Sequence, residues 1–425
     1  MQKKDVLIIG SGPGAAILAA DLAKSGAKVT ILERGKDRDF GNDVLPRLRA
    51  LDVSFIGGRA TMLRGLAVGG SSNLYFATGI TPPYERFSAH GVDLRDATTS
   101  VTADLPLAPL AWNVVGPRAA RLSFAAKRLG YDWGWLPKLI HQDRVKHGVH
   151  PLGARWNARE KILEAVRHGA DLVSECHVEK VLTENGRAVG VRAKVAGKLQ
   201  DYRAGKIVLA AGTVGTAGIL RRSSLPWGDG AFFCDPLVAV IGFAQENFGM
   251  DEFAMTGGGM FAGAGMLTDM HVPYAIYAAL STATGRLDAL WKHNKALTIM
   301  VKVGDEAHGS IDAHERASRT FSAGDRKKMF EGIRIARSIL EAAGAKSIFS
   351  SPWTSAHPGG TLQLGRDLDA SLQLPVAGLH VCDASLLPAP WGLPPTLTLA
   401  SLGRYLAQQL GAKKPVAQGA RVVAK

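Results

Sequence analysis

Cysteine is scarce in this chain: Cys176, Cys234 and Cys382 are the only three in 425 residues, and no CxxC pair occurs. Such spacing excludes a disulfide framework and a thiolate metal centre, so three small buried thiols in a reducing compartment, the cytoplasm, are expected. Long apolar runs are missing too. None reaches the roughly 18 residues of a membrane span, and the nearest, Ala231 to Phe243, is broken by Asp235 and Pro236. Lysines before the first apolar run imitate a signal peptide, but that run leads directly into a glycine turn and reads as a strand, so no signal segment is expected. The chain also lacks internal repeats.

Negative charge is in deficit. Lys and Arg number 51 against 37 Asp and Glu, a net charge of +14. The excess is concentrated between Arg118 and Arg155, where eight Lys or Arg face only Asp132 and Asp143, interleaved with Phe124, Tyr131, Trp133 and Trp135. Segment 118–155 suits a solvated basic face, an anionic membrane surface or an acidic protein partner. No nucleic-acid-binding motif accompanies it, so nucleic acid is not expected as a partner.

Glycine is plentiful, at 49 residues, and the most informative stretch is built on it. Val6 to Ile9 is a short apolar run, the pattern of a parallel strand buried on both faces. Gly10-Ser11-Gly12-Pro13-Gly14-Ala15 follows and fits G-x-G-x-x-[G/A]. A helical stretch runs to Gly26, and a second strand, Val29 to Leu32, ends on Glu33 with Arg34 beside it. Gly10 permits the tight turn, Gly12 lets backbone approach a pyrophosphate, and Ala15 allows close packing of helix on strand. Glu33 falls about 20 residues on, where a carboxylate accepts a bond from a ribose hydroxyl. Strand, loop, helix, strand and acid in this order point to an adenine dinucleotide. A second glycine-rich loop, Val68-Gly69-Gly70-Ser71-Ser72-Asn73, offers further donors and suggests a long cofactor such as FAD.

The remaining pattern is mixed. Pro46 to Asp52, Ser123 to Leu129 and Ala158 to His168 read as helices. Ala170 to Glu175, Val178 to Thr183 and Val189 to Val195 read as strands, the last two joined at the hairpin signal Asn185-Gly186. A buried strand from Lys206 runs into a glycine turn at Ala211 and the helix Thr213 to Arg221. Further on, Val238 to Phe243, Ala275 to Leu280 and Leu297 to Val303 alternate as antiparallel strands would. Asp325 is expected to cap an amphipathic helix carrying Met329, Ile333, Ala336 and Leu340. His357-Pro358-Gly359-Gly360-Thr361, a strand Leu379 to Cys382, Asp383-Ala384-Ser385 and a helix opened by Pro394-Pro395-Thr396 close the ordered chain. The positive end of that last helix suits negative charge on a reduced ring. Residues after Gly411 read as a frayed tail, and His271, His308 and His314 as structural or surface residues.

These motifs, in this order, resemble the glucose–methanol–choline (GMC) flavoprotein oxidoreductases: GSGPGAA with Glu33, VGGSS, VLAAGTVGTAGILRRS, HPGGT and CDASLLP…PPTLTLASLGRYLA. The resemblance implies FAD as cofactor and an α/β fold. Its Rossmann-like FAD-binding domain would be discontinuous (1–85, 150–235, 350–425), with an inserted α+β substrate domain (86–149, 236–349) on an antiparallel sheet. It places Gly10, Gly12, Pro13, Gly14, Ala15, Glu33, Arg34, Gly69, Gly70, Ser71, Ser72, Asn73, Val178, Ala211, Asp383, Pro394 and Thr396 at the cofactor. His357 becomes the active-site base or charge stabiliser, a role that an imidazole near neutral pKa suits. Leu393 stands where the family carries Asn or His and can neither donate nor accept, so Trp391 and substrate-domain groups are expected to assist at the substrate. No histidine adjoins VGGSSN, so no histidyl–FAD link is expected, and no metal is implied.

The expected activity is oxidation of a CH–OH group to an aldehyde or ketone, on a small molecule of apolar character. Oxygen, a quinone and a protein stay open as electron acceptors. The alternatives are a flavin-bearing electron-transfer subunit of a complex and a flavoenzyme acting on C–C or C=C bonds. A cytoplasmic location is expected, with peripheral membrane contact through segment 118–155 left open.

Overall fold

The computed structural model describes residues 4–57, 60–145, 152–227, 231–249, 252–261, 263 and 265–413. Most of the tail expected after Gly411, and Lys146 of the basic segment, lie outside these residues. Strand Lys4–Ile9 carries the buried run Val6 to Ile9 and pairs in parallel with Val29–Leu32 on one side and with the second half of Lys198–Leu209 on the other. Asp171–Val173 extends the parallel set beyond Val29–Leu32, and Leu379–Val381 pairs in parallel with the far side of Lys198–Leu209. The first half of that long strand instead takes an antiparallel partner, Arg187–Val195, which continues to Cys176–Glu184. Asn185 and Gly186 turn this hairpin with φ of 48° and 73°, the positive values a tight two-residue turn requires.

Helix Pro13–Lys24 packs on this sheet and against the last helix, Thr396–Gln409. The two backbones meet at Gly14 and Gly403, where a Cβ on Gly403 would lie 2.2 Å from the Gly14 carbonyl oxygen. Arg404, buried beside this crossing, pairs with Asp21 at 2.6 Å and Asp104 at 2.9 Å. Those pairs tie both helices to helix Arg95–Asp104.

A second, nine-stranded sheet is largely antiparallel and centres on Pro236–Phe243 and Ala296–Val303. Alternation divides its faces, as the pleat requires. Val238, Val240, Leu297, Ile299 and Val301 pack under helices Ala323–Ala342 and Pro117–Arg128. Leu237, Ala239, Met300 and Lys302 point the other way, into a cavity shared with the first sheet. Strands Leu51–Gly57 and Ala60–Gly65 join this sheet through Thr354–Ser355, although their sequence falls in segments expected to belong to the nucleotide domain.

Several local expectations change. Ala275 to Leu280 is helical, within Tyr274–Ala283, because Pro273 starts it and alanine favours the helix over the strand its short alternation suggested. The short helix is Val44–Arg49, and its expected last residues open a strand at Leu51. Ser322, not Asp325, caps the long helix. Ser322 Oγ accepts the Asp325 amide at 3.0 Å and Asp325 accepts the Ser322 amide at 3.1 Å, a reciprocal capping box.

Segment 118–155 is not a continuous basic surface. Arg118 is buried against Glu252 at 2.9 Å, and Arg121 pairs with Glu246. Arg155 donates to the Tyr75 carbonyl. Lys138 is fully buried and donates to three carbonyls and the Thr78 hydroxyl. Lys127, Arg128 and Phe124 do remain exposed.

Candidate active site

One cavity of about 490 Å³ runs from the N-terminus of helix Pro13–Lys24 to the inner face of the second sheet. At the helix end it is lined by Gly10, Gly12, Pro13, Gly14, Ala15, Glu33, Arg34, Val178 and Ala211. Gly10 has φ of +106°, and a Cβ there would sit 2.2 Å from the Ala210 carbonyl oxygen. Only glycine fits both constraints. At Gly12 a Cβ would meet nothing within 4 Å. The first helical turn behind it carries no acidic residue and no side-chain cap. Its amides and positive dipole end are therefore available to an anion.

The second glycine loop closes onto the first. The Gly69 amide donates to Ser11 Oγ at 3.0 Å, and Gly70 packs on Gly12, its would-be Cβ 3.2 Å from the Gly12 Cα. Gly70, Ser71 and Ser72 line the cavity, whereas Gly69 and Asn73 stand behind it. Asn73 shapes the loop, donating to the Val68 and Gly70 carbonyls at 3.0 Å each. Glu33 is buried and accepts from Ser11 Oγ at 2.5 Å and the Gly35 amide at 2.6 Å. Burial pushes its carboxyl up from the ordinary value, against those bonds. Asp383 is similarly raised by burial and accepts from Ser385 and from Thr216. Pro394 and Thr396 bring the last helix to the same wall.

At the opposite end stands His357, placed by a local staple. Phe233 and Gly359 exchange two backbone hydrogen bonds at 3.0 Å, and the Phe233 ring fills the space a side chain on Gly359 would need. The staple brings Asp235 beside His357, with Asp235 Oδ2 3.2 Å from His357 Nδ1. Both residues have positive φ, 40° and 58°, an uncommon conformation for side-chain-bearing residues that often marks functional positions. Asp235 Oδ1 accepts the Gly392 amide at 2.8 Å, and the Asp235 amide donates to Asp305, itself paired with Arg319 at 2.7 Å. Lys302, 1% exposed, lies 3.6 Å from Asp235 and 3.5 Å from His357.

The electrostatics favour a neutral imidazole. Burial lowers the His357 pKa and the Lys302 charge lowers it further, while Asp235 opposes both. The carboxylate holds the proton on Nδ1, so Nε2, which no described residue engages, is free to accept one. Burial brings Lys302 down to about 8, against the pull of Asp235. Walls around this end are apolar: Leu237, Ala239, Met255, Met270, Ile276 and Met300.

Trp391 and Leu393, expected at the substrate, do not line the cavity. Trp391 is 4% exposed in the nucleotide-side core, edge-on to Phe87 at 6.3 Å with the Arg86 guanidinium 5.9 Å above it. Leu393 packs against the same core. Asp235 and Lys302 were not singled out from sequence, although a lysine inside the buried strand Leu-Thr-Ile-Met-Val-Lys-Val is a signal in itself. The three cysteines are buried and free, burial pushing their thiols up. Among the described residues no group of acidic, histidine or cysteine side chains could hold a metal, and no helix is long and apolar enough to cross a membrane.

A family model described as GMC oxidoreductase matches residues 6–230, and the chain belongs to that family. It is 26% identical to an uncharacterized GMC-type oxidoreductase of Mycobacterium tuberculosis (Rv0492c), over 97% of this chain and 76% of that protein. Identity to the long-chain-alcohol oxidase FAO3 of Arabidopsis thaliana is 22%, over 94% of this chain and 66% of that protein. Among solved structures, pyridoxine 4-oxidase from Mesorbium loti superposes with a TM-score of 0.77 at 15% identity, covering 96% of this chain and 99% of that one. The formate oxidase of Aspergillus oryzae gives 0.73 at 15% identity, over 96% and 98%. The protein is thus an FAD-dependent oxidoreductase acting on CH–OH donors. Its residues fit FAD: the open cradle at Gly12, the uncapped helix and the buried Glu33 suit pyrophosphate and ribose.

Proposed function

We propose that this protein oxidises an apolar alcohol, with His357 as the base that takes the hydroxyl proton on Nε2. The observation that carries this reading is the His357–Asp235 pair, 3.2 Å apart, at the end of an apolar chamber continuous with the dinucleotide channel. Bound FAD supplies the two-electron acceptor. The chain's own part is to bind, orient and deprotonate. The methionine and leucine walls take up the alkyl chain and exclude water. Asp235 fixes the imidazole tautomer and compensates the charge that the ring gains with the proton. The relation to long-chain-alcohol oxidases supports an extended aliphatic substrate. Glu33, Gly12, Gly70, Ser71, Val178 and Thr396 are proposed to hold the cofactor. Any membrane or protein contact of segment 118–155 would use the exposed Lys127, Arg128 and Phe124.

The test is anaerobic titration of the flavin band with primary and secondary alcohols of increasing chain length. Bleaching by aliphatic alcohols is expected. A flavin that no alcohol bleaches would overturn the proposal and favour an electron-transfer subunit.

A further inference from the structure

Among the described residues two lysines, Lys138 and Lys302, are fully buried, and they differ in one respect. Lys138 places acceptors on every side of its ammonium: the Thr78 hydroxyl at 2.8 Å and the carbonyls of Phe76, Ala254 and Met255 at 2.5, 2.7 and 3.1 Å. It is a satisfied structural clamp. Lys302 is as deeply buried, yet its nearest polar atoms are Asp235 Oδ2 at 3.6 Å and His357 Nδ1 at 3.5 Å. Both distances exceed the 2.7–2.9 Å of a good charge-assisted bond. An ammonium has three donors, and a buried donor without an acceptor is costly. Two long contacts leave an ammonium with donor capacity to spare, on a side chain that lines the cavity.

The placement of Lys302 is built into the sheet. It stands opposite Leu237 in the register of the two central strands, on the face that carries Ala239 and Met300. The ionisable side chains lining the rest of the cavity, among them Glu33, Arg34 and Asp383, lie at its dinucleotide end. Among the described residues that line the apolar chamber, Lys302 and His357 are the ones that can carry positive charge. A cation there attracts one thing that an apolar substrate offers, its oxygen.

We propose that Lys302 is a catalytic residue whose ammonium donates a hydrogen bond to the substrate oxygen beside His357. The inference rests on the alcohol reading above. The hydroxyl proton passes to His357 Nε2, and the negative charge left on oxygen is held by the Lys302 N–H donors in a dry site, where such stabilisation is strongest. Asp235 Oδ2 lies 3.6 Å from Lys302 and 3.2 Å from His357, so one carboxylate offsets both charges once the imidazole is protonated. Leu393 offers no polar group to the oxygen, and Lys302 fills that role from the sheet.

The experiment uses the FAD-loaded protein and decanoate, a carboxylate whose chain suits the apolar walls and whose charge suits the ammonium. Decanoate binding is followed through perturbation of the oxidised flavin spectrum and by calorimetry, in wild type, Lys302→Met and Lys302→Gln. The expected result is binding to wild type, weakened roughly 10- to 100-fold in Lys302→Met, the range of one charge-assisted hydrogen bond, and less in Lys302→Gln. Flavin reduction by alcohols should fall by a similar factor. Should both variants misfold, wild type decides alone: binding through the ammonium must weaken as pH rises past about 8, with Asp235 and His357 as the flanking groups. Absent decanoate binding, equal affinity in a folded Lys302→Met, or binding indifferent to pH through that window would overturn the proposal. A flavin that alcohols never bleach, with decanoate binding still dependent on Lys302, would instead count against the alcohol reading.

Discussion

Asp235 Oδ2 and His357 Nδ1 lie 3.2 Å apart although 122 positions separate them in sequence. The same carboxylate holds the Gly392 amide at 2.8 Å, so one buried side chain orients the imidazole and anchors the loop before the last helix. Replacing His357 by Gln removes the proton acceptor while keeping the bulk. Flavin reduction should slow by about 10²- to 10⁴-fold, the usual range for general-base catalysis. The visible spectrum and melting temperature should stay near wild type. Stopped-flow reduction with a good alcohol measures this, and a fall below tenfold would remove His357 from the base role.

Asp235→Asn should behave differently. It frees the imidazole to adopt either tautomer, and it strips the buried Lys302 of the one carboxylate paired with it among the described residues. Breaking one partner of a buried ion pair costs about 3–5 kcal/mol, so this variant should melt several degrees lower as well as turn over slowly. His357→Gln, by contrast, leaves the Lys302–Asp235 pair in place. Thermal denaturation of the two variants side by side checks the contrast.

The two glycines Gly12 and Gly403 separate cofactor binding from folding. A methyl on Gly403 would sit 2.2 Å from the Gly14 carbonyl, backbone against backbone, whereas one on Gly12 would meet nothing within 4 Å. Gly403→Ala should therefore destabilise the chain by about 1–3 kcal/mol through overpacking. Gly12→Ala should leave the apoprotein's melting temperature unchanged and lower FAD retention, because its methyl enters the space left for the pyrophosphate. Melting curves of apo and FAD-loaded protein decide. Equal loss of apo stability in both would contradict the assignment.

Much of this was legible before any coordinates. The first strand, its glycine turn and Glu33 are one local unit whose spacing carries its own geometry, and HPGGT marked His357. The partners of His357 were hidden for a physical reason. Asp235 reaches it through a tertiary staple at Phe233 and Gly359, and no local period encodes such a contact. Lys302 is a single charged residue in a buried strand, which the strand's β-propensity masks. Trp391 was misplaced because proximity in sequence to the last helix says nothing about which side of the loop faces the cavity. The Tyr274–Ala283 helix was misread because a short apolar run fits both periods.

The chamber walls make chain length a measurable variable. Leu237, Met255, Met270, Ile276, Leu280 and Met300 offer no polar group to a substrate, so each methylene that leaves water contributes about 0.8 kcal/mol, close to fourfold in affinity. The KM of primary alcohols should fall by about that factor per carbon until the chamber is filled, while the limiting rate of flavin reduction changes little. A flat series would mean that the alkyl chain stays in solvent.

Glu315 offers the clearest pH test. It reaches from the turn between Ser310–Ile311 and Ala317–Ser318 to the dinucleotide end of the cavity, 2.8 Å from Arg34 and 3.2 Å from Arg222, with Arg64 and His177 at 3.9 Å. Burial opposes its charge, but the nearby His177 ring and the three guanidinium groups prevail and hold the carboxyl at about 2. A depressed carboxyl stabilises the fold above its unfolded value, near 4.5, and loses that contribution as pH falls through the window down to about 2. Glu315→Gln leaves Arg34, Arg64 and Arg222 without their shared anion. The variant should be about 2 kcal/mol less stable than wild type between pH 5 and 7, on the scale of a charge-assisted hydrogen bond. That deficit should shrink steadily below pH 4.5. Denaturant unfolding of both proteins across this range measures it, and a deficit independent of pH would show that Glu315 acts through packing rather than charge.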